Sequence, residues 1–542
     1  MRWSFVWALA LLLPARIAAA DHTLYFTGTM LATDPTYALV PFEVPAGTAE
    51  VQVSHVLNQD SNGTDILDFG LWDPNGFRGW GGGNTEDIVV GELAASRSYH
   101  PGPMTAGTWN VVIGKALVAS AAHWTVVVTL RSQPTLPAET DRTPYTDVPA
   151  LNPNPGWYAG DFHVHSRESG DARPSLDENA TFARAQGLDF IECSDHNTDT
   201  QVDLIPQVQA QHSDLLLVPG DEFTTYSGHA NGIGALHYVD HRLGLNGRTA
   251  SQAADEFHAQ GALFSVNHPA LDLGSLCIGC GWHNDDVLAS QVDALEVENG
   301  GWNEYGHAFA THTFQIWESY LDQGAHVTPL GGSDDHSAGV SEGTFGSPIA
   351  HPTTMVYASE LSVPGILDAV RHGRTVVKLE SPSDPMIDLV AGDARVGDTV
   401  HADSVHLAAT ITGGNGDQVR WVHNGVNGDP VSITSDPFVY EQDVSAPTGG
   451  SEDRWRAEVL VNGDPRTLTN HIWVAQALAT PPDAGADDAG SSDTTTGSSS
   501  PPDAGGFVDT GGCSSTNADS AVILALFVGM GLWSARRRGR VR

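Results

Sequence analysis

Two kinds of hydrophobic pattern divide the chain. From residue 21 to 133, short runs that alternate apolar and polar residues, such as Val51-Gln52-Val53, lie between turns rich in Gly, Pro and Asn. Alternation with period two buries one face of a strand, and many short strands of this kind predict a β-sandwich. The same pattern returns from 385 to 477 and predicts a second, immunoglobulin-like sandwich.

Between residues 157 and 380, apolar runs alternate with segments that suit helices. Ser175, followed three residues later by Glu178, predicts a capped helix that ends at Ala185. Further helices are expected over 250–260 and 311–323. Alternating strands and helices predict an α/β domain built on a parallel sheet or barrel. Residues 134–156, rich in Pro, Thr, Asn and Asp, are expected to form a linker.

The two ends of the chain have the composition of targeting segments. Residues 1–20 combine Arg2, an apolar run and three alanines, which predicts a secretory signal peptide. Residues 478–512 lack large apolar side chains and are expected to be a disordered tether. Residues 513–542 contain Cys513, a short apolar run and an arginine cluster. This tail resembles the C-terminal sorting signal of myxobacterial surface proteins, which implies export, membrane or cell-surface attachment, and processing near Cys513.

Charge and histidine content narrow the possible partners. The 542 residues contain 25 Lys and Arg against 66 Asp and Glu, a formal net charge of −41. Such a surface repels nucleic acids and anionic lipid headgroups, so we expect no nucleic-acid partner. Histidine, with 24 copies, is abundant for so acidic a chain. A metal site would account for part of this excess. The sequence does not indicate an oligomeric state.

The four cysteines do not form a disulfide scaffold. Cys277 and Cys280 are spaced for a loop disulfide in an oxidising compartment, while free thiols and metal ligands remain alternatives. Cys193 lies within an apolar run and is expected to be a small buried residue.

Histidines and acids follow the apolar runs of the middle region. His163 and His165 come directly after one such run, and residues i and i+2 of a strand point to the same side. Their imidazoles suit zinc, iron, manganese or nickel, although polar surface is the alternative. The runs that follow lead into His196, Glu222, His229, His268, Asp334 and His336. In barrels, active sites gather at the C-terminal strand ends, so we expect these side chains to converge.

In combination and order, these motifs resemble the PHP family, named for polymerase and histidinol phosphatase. The resemblance covers residues 157–380 and implies a distorted seven-stranded TIM-like barrel with two or three divalent metal ions (Zn, Mn or Fe). It implies that Glu222 bridges two of them, and that Asp195, Asp221 and Asn267 orient ligands. Asp171 follows the His-x-His pair at a spacing one residue longer than the commonest form. The implied ligands are His163, His165, Asp171, His196, Glu222, His229, His268, Asp334 and His336.

Three stretches are similar to the carbaryl-hydrolase-like branch of that family. They are the Gly-Leu-Trp-Asp-Pro pattern at 70–74, the Arg-Gly-Trp-Gly-Gly-Gly pattern at 78–83, and His-Ser-x-x-Ser-Gly-Asp at 165–171. The last of these accounts for the longer spacing to Asp171. Trp72 and Trp80 within the first two patterns would either pack in the core or stack on a sugar.

The predicted chemistry is metal-assisted hydrolysis of a small-molecule ester. Two cations would lower the pKa of a bound water, and the resulting hydroxide would attack phosphorus or a carbonyl carbon. Of the possible enzymes, a phosphoesterase is favoured. The alternatives are a carboxylic or carbamate ester hydrolase, and a non-catalytic surface binding protein with a residual metal site. Asp195, Arg167 and Arg374 are further catalytic candidates. The two arginines would hold an anionic substrate group, unless each forms a surface salt bridge.

Overall fold

The first part of the fold is a pair of antiparallel four-stranded sheets. The computed structural model describes residues 21–58, 64–300, 306–340 and 347–478, so the expected signal peptide, tether and C-terminal tail lie outside the described residues. The strands are β1 (His22–Leu31), β2 (Tyr37–Val44), β3 (Glu50–Asn58), β4 (Ile66–Asp73), β5 (Gly76–Trp80), β6 (Ile88–Gly91), β7 (Gly107–Leu117) and β8 (Ala121–Arg131). The sheet orders are β1-β8-β3-β6 and β2-β7-β4-β5.

The two sheets share one hydrophobic core. Val51 and Val128 from the first sheet and Phe69 and Val111 from the second belong to the same buried cluster. Alternate residues of these strands face inward, as the period-two pattern predicts. Residues 134–155 contain no helix or strand. They are tied to the preceding part where Glu139 Oε1 accepts a 2.9 Å hydrogen bond from the Ala95 amide.

The middle region alternates strands and helices, as predicted. The helix with Ser175 as its cap begins at Leu176 and ends at Ala185, and the capping box with Glu178 is present. The elements are β9 (Gly156–Asp161), α1 (Leu176–Ala185), β10 (Phe190–Cys193), α2 (Ile205–Gln209), β11 (Leu216–Pro219), β12 (Glu222–Thr225), β13 (Gly228–Ile233), α3 (Ala250–Ala259), β14 (Leu263–Val266), β15 (Ala294–Asn299), α4 (Gly306–Asp322), β16 (Thr328–Gly332), β17 (Thr353–Ala358), α5 (Val363–Arg371) and β18 (Thr375–Lys378).

The strand pairing of this region is mixed, so the expectation of a parallel sheet is correct only in part. β9, β10 and β11 pair in parallel, as do β14, β15 and β16, but β12, β13 and β14 pair antiparallel. Only two residues join β12 to β13, and a connection that short forces an antiparallel hairpin. The described strands form two hydrogen-bonded sheets, β11-β10-β9-β17-β18 and β12-β13-β14-β15-β16, rather than one closed ladder.

The C-terminal strands extend the first of these sheets. The strands are β19 (Met386–Ala391), β20 (Ala394–Arg395), β21 (Thr399–His401), β22 (Ser404–Thr412), β23 (Gln418–His423), β24 (Val426–Asn427), β25 (Val431–Ser432), β26 (Phe438–Ser445), β27 (Glu452–Val461), β28 (Asp464–Thr469) and β29 (Ile472–Ala475). β28 pairs with β18 through Val376 opposite Thr469, so the C-terminal part shares a sheet with the middle region. A second layer, β20-β19-β22-β26, covers the other side of the C-terminal core.

The chain is therefore multidomain and rich in strands, and its described residues belong to one compact unit. Among the described residues, no helix is both long enough and apolar enough to cross a membrane.

Candidate metal centre

The side chains that follow the strands of the middle region converge on one buried cluster. His163 and His165 follow β9, and neither exposes any surface. Their Nε2 atoms lie 3.4 and 3.0 Å from Asp334 Oδ1, which is reached from the end of β16. A parallel bridge between Val164 and Asp335 joins the segments that follow β9 and β16, so residues 169 and 171 positions apart meet here.

Glu222, at the start of β12, lies at the centre of the cluster. One carboxylate oxygen, Oε1, lies 3.3 Å from His163 Nε2, and Oε2 lies 2.5 Å from His196 Nδ1. The remaining imidazole contacts of this carboxylate are His229 Nδ1 at 3.3 Å, His268 Nε2 at 3.5 Å and His165 Nε2 at 3.7 Å. A single carboxylate therefore faces five histidines, with its two oxygens directed to different sides of the group.

The solvent-facing side of the cluster consists of His196, His336 and Asp171. Asp171 Oδ2 lies 3.5 Å from the Nε2 atoms of both histidines. The side chain of Asp171 is 59% exposed, whereas those of His163 and His165 are fully buried. The structure thus brings together all nine side chains that the sequence proposed as ligands, and it distinguishes a closed end from an open one.

The Cys277–Cys280 disulfide supports the part of the cluster that contains His268. The structure pairs these two cysteines, which is the first of the alternatives that the sequence left open. The carbonyl of Cys280 lies 3.0 Å from His268 Nδ1, so the other ring nitrogen of His268 faces Glu222. Cys280 Sγ is close to His229 and His268. Because it is bonded to Cys277, it is not available as a thiolate ligand.

Electrostatics show how strongly the carboxylates and imidazoles act on one another. Burial alone would raise the pKa of Glu222, but His196 and His163 hold it well below its usual range. Burial would lower the pKa of His163, but the Asp334 and Glu296 carboxylates raise it well above its usual value. So much negative charge in a buried group needs positive charge nearby, which protons or metal cations supply.

Divalent cations fit this donor set. The Nε2 atoms of His163, His165 and His229 are buried and have no hydrogen-bond partner within the described part of the chain. Sets of ligand atoms within 4.8 Å of one another include His163, His165 and Asp334, as well as His165, His196 and His336. Imidazole and carboxylate ligands together suit Zn, Mn or Fe. Histidine binds such ions through a ring nitrogen that carries no proton, and these three atoms have no hydrogen-bond partner to displace.

Backbone strain occurs at the same place. Asp334 has a φ of 56° and His268 a φ of 28°, a region that residues other than glycine rarely adopt. Such conformations cost about 1–3 kcal/mol each and persist where the surroundings impose them. Here the strained residues are two of the proposed ligands.

The three proposed supporting residues differ in what they hold. Asn267 donates a 3.0 Å hydrogen bond to Glu222 Oε1 and so orients the central carboxylate. Asp195 accepts from the amide and hydroxyl of Ser166, at 2.6 and 2.7 Å, and holds the segment that follows the His-x-His pair. Burial raises the pKa of Asp195 to about 6. Asp221, next to Glu222 in the chain, accepts a 3.2 Å hydrogen bond from the Thr198 amide.

Sequence reasoning missed Glu296, the acid that orients His163. Glu296, on β15, is 1% exposed, and its Oε1 lies 2.7 Å from His163 Nδ1. Its Oε2 accepts a 2.8 Å hydrogen bond from the amide of His268. Carboxylates commonly hold metal-binding histidines in this way and fix the ring nitrogen that faces the metal. The available sequence signal was a glutamate inside an otherwise apolar run, Ala294-Leu295-Glu296-Val297.

Neither candidate arginine lies at the cluster. Arg374 forms two hydrogen bonds with Asp398, at 2.7 and 2.8 Å, and Arg167 is half exposed next to Glu168. Neither lines the cavity that opens onto the ligands. Each arginine instead forms a salt bridge near the surface, which was the alternative, so neither is placed to hold a substrate.

The cavity at the open end has a volume of about 620 Å³ and is shared between two parts of the chain. Its floor includes His196, Asp334 and His336, while Asp68 and Trp80 of the N-terminal strands line it as well. Trp72 packs behind this wall against Phe77 and is 8% exposed, so it is not free to stack on a sugar.

Comparisons with known proteins gave structural likenesses only. No family model and no curated protein sequence matches the chain. One similar solved structure is a two-domain protein from Bacteroides vulgatus containing a predicted PHP-like metal-dependent phosphoesterase. It shares 19% identity, covers 62% of this chain and 100% of its own, and has a TM-score of 0.34. A candidate metal-dependent phosphoesterase from Bifidobacterium adolescentis shares 13% identity, with 35% and 91% covered and a TM-score of 0.25.

Scores at this level do not distinguish folds. A β-glucuronidase from Bacteroides uniformis, of a different enzyme class, is also similar, with 9% identity over 85% of this chain and 60% of its own and a TM-score of 0.16. The geometry of the ligands, rather than these likenesses, indicates the function.

Proposed function

We propose that this chain is an exported, multinuclear metal-dependent hydrolase that acts on phosphate esters. One observation carries the proposal: five histidine nitrogens lie 2.5–3.7 Å from the two oxygens of the buried Glu222 carboxylate. Such an arrangement suits a carboxylate shared between cations, with histidines completing each coordination sphere. The order of the ligands along the chain supports a PHP domain over residues 157–380, of the carbaryl-hydrolase-like branch.

Divalent cations held here would supply Lewis acidity, lowering the pKa of water and polarising the ester. The chain's own residues orient the site. Asn267 fixes Glu222, and Glu296 fixes the ring of His163. His336 and Asp171 are the more exposed members of the cluster, so a substrate reaches it from their side.

A carboxylic or carbamate ester is the second candidate, and one observation favours it. The described lining of the cavity contains no Lys or Arg to pair with an anionic group. A neutral ester would need none. For a phosphate ester, the cations themselves would have to neutralise the charge.

Export is supported by the disulfide, since such bonds persist in oxidising compartments. We further propose that residues 1–20 direct export and that the tail after residue 513 attaches the protein at the membrane or cell surface.

The test is a panel of p-nitrophenyl phosphate, bis-p-nitrophenyl phosphate, p-nitrophenyl acetate and an aryl carbamate, assayed with full-length protein purified without chelator. We expect turnover of a phosphate ester that is lost in His163→Ala. His237→Ala removes an exposed histidine of the same region outside the cluster and should retain activity. Turnover of the carbamate or acetate alone would favour the second candidate. Bound metal without any turnover would favour a non-catalytic binding protein.

A further inference from the structure

Part of the cavity wall belongs to the N-terminal strands and is held firmly against the ligand-bearing hairpin. Phe77 stacks on Tyr238, with ring centres 3.6 Å apart and planes 5° apart. Tyr37 stacks on Tyr226, which lies in the turn between β12 and β13, at 5.8 Å. Because Tyr226 lies in the hairpin that carries Glu222 and His229, its contact with Tyr37 fixes the wall relative to these proposed metal ligands.

Asp68 places a carboxylate on this wall. Tyr226 donates a 2.6 Å hydrogen bond to Asp68 Oδ2, and both residues line the cavity. Burial raises the pKa of Asp68 to about 6, so its charge is retained at neutral and alkaline pH. Asp68 is not one of the nine proposed ligands. Its carboxylate is therefore free to contact a group of the substrate.

His241 provides a second, independent sign that this wall receives a ligand. It lines the cavity, is 1% exposed, and its Nδ1 lies 2.9 Å from the Tyr238 hydroxyl. Its Nε2 is buried and has no hydrogen-bond partner among the residues that the structure describes. An unpaired buried polar atom costs about 1–3 kcal/mol, and a polar ligand group would remove that cost.

The charges around the cavity select the kind of ligand. Within the described lining there is no Lys or Arg. The three internal segments outside the described residues, 59–63, 301–305 and 341–346, contain neither residue type in their sequence. A second anionic group on a substrate would therefore have no basic partner here, whereas a cation would have Asp68. Trp80 and Tyr226 add aromatic rings, which favour cations over anions.

We propose that Asp68, oriented by Tyr226 and accompanied by His241, forms a subsite for a protonated amine on the leaving group of the substrate. The inference rests on the proposed function, in that the proposed metal centre takes the phosphate while this wall takes the amine. It assigns the N-terminal strands a role in substrate selection.

The test measures binding without turnover. Isothermal titration calorimetry on the full-length, metal-loaded protein would compare 2-aminoethylphosphonate, 2-hydroxyethylphosphonate and n-propylphosphonate. We expect the amine to bind at least about tenfold more tightly than the hydroxyl analogue, as a charge-assisted hydrogen bond provides. Asp68→Asn keeps the shape of the side chain and should reduce the preference to less than about threefold. Asp393→Asn removes an exposed charge in the turn between β19 and β20 and should leave it unchanged.

Tyr226→Phe gives a second measurement should Asp68→Asn fold poorly. It removes only the hydroxyl that orients Asp68, so the preference should fall several-fold without disappearing. Equal binding of the amine and hydroxyl compounds by the unsubstituted protein would overturn the inference, as would a preference that survives Asp68→Asn. Failure to hydrolyse any phosphate ester, with the amine preference intact, would instead count against the proposed function alone. If no phosphonate binds, both are wrong.

Discussion

Glu296 is the residue whose substitution tests the site most selectively. Its carboxylate accepts hydrogen bonds from His163 Nδ1 at 2.7 Å, the His268 amide at 2.8 Å and Asn299 Nδ2 at 3.2 Å. In Glu296→Gln, one oxygen becomes an NH₂ group, which cannot accept. A buried donor on either His163 or His268 then loses its partner. Substitutions of this kind typically lower metal affinity about 10–100-fold, or roughly 1.4–2.7 kcal/mol.

The assay is a competition titration against a chromophoric chelator, which gives the metal dissociation constant of each variant. Glu298→Gln is the matched control, because Glu298 lies on the same strand and is 2% exposed. Both of its carboxylate oxygens lack a partner within the described residues, and burial raises its pKa well above the usual range. We expect its loss to leave metal affinity unchanged. Unaltered affinity in Glu296→Gln, or an equal loss in both variants, would refute the assigned role of Glu296.

Three further predictions concern the disulfide, a buried histidine and the domain contact. Reducing the Cys277–Cys280 bond should weaken metal binding several-fold, because the Cys280 carbonyl holds His268; an affinity indifferent to reductant would count against this support. Burial lowers the pKa of His241 to about 3, so its contribution to folding stability is complete above the unfolded value of about 6.5 and is lost as the pH falls from there towards 3. Between pH 7 and pH 5 the free energy of unfolding, measured by urea titration, should fall by about 2 kcal/mol more in the unsubstituted protein than in His241→Gln. Equal decreases in the two proteins would contradict this. Phe77→Ala removes the ring stacked on Tyr238 and should cost about 1–3 kcal/mol, seen as a lower thermal midpoint; an unchanged midpoint would show that the contact does not stabilise the fold.

Local patterns predicted the local elements but not their long-range pairing. The helix that begins at Leu176 follows from Ser175 and Glu178, which act on each other within one turn. The pairing of Val376 with Thr469 joins segments more than ninety residues apart, and alternation within each strand does not specify a partner. For the same reason, the sequence suggested a separate C-terminal sandwich where the structure has a shared sheet. The antiparallel hairpin after Glu222 was recognisable only from the two residues that connect its strands.

In the candidate site, too, local motifs were predictable and long-range contacts were not. Eight of the nine proposed ligands stand at or within a few residues of a strand terminus, and Asp171 follows the His-x-His pair in the next loop. Motif and position agree there, and the structure brings all nine together. Glu296 and Asp68 lie within strands, where a single acid has no distinguishing spacing. Their roles depend on contacts with His163 and Tyr226, each more than a hundred residues away in the chain. The two arginines were proposed from their chemistry alone, and chemistry does not determine position.

The metal content of the protein tests the central claim most directly. Full-length protein, purified without chelator, would be analysed by inductively coupled plasma mass spectrometry beside Glu222→Gln, which removes the charge of the central carboxylate. The proposal predicts two or three divalent transition-metal ions per chain, and fewer in the variant. No tightly bound metal in the unsubstituted protein, or the same content in both, would contradict it.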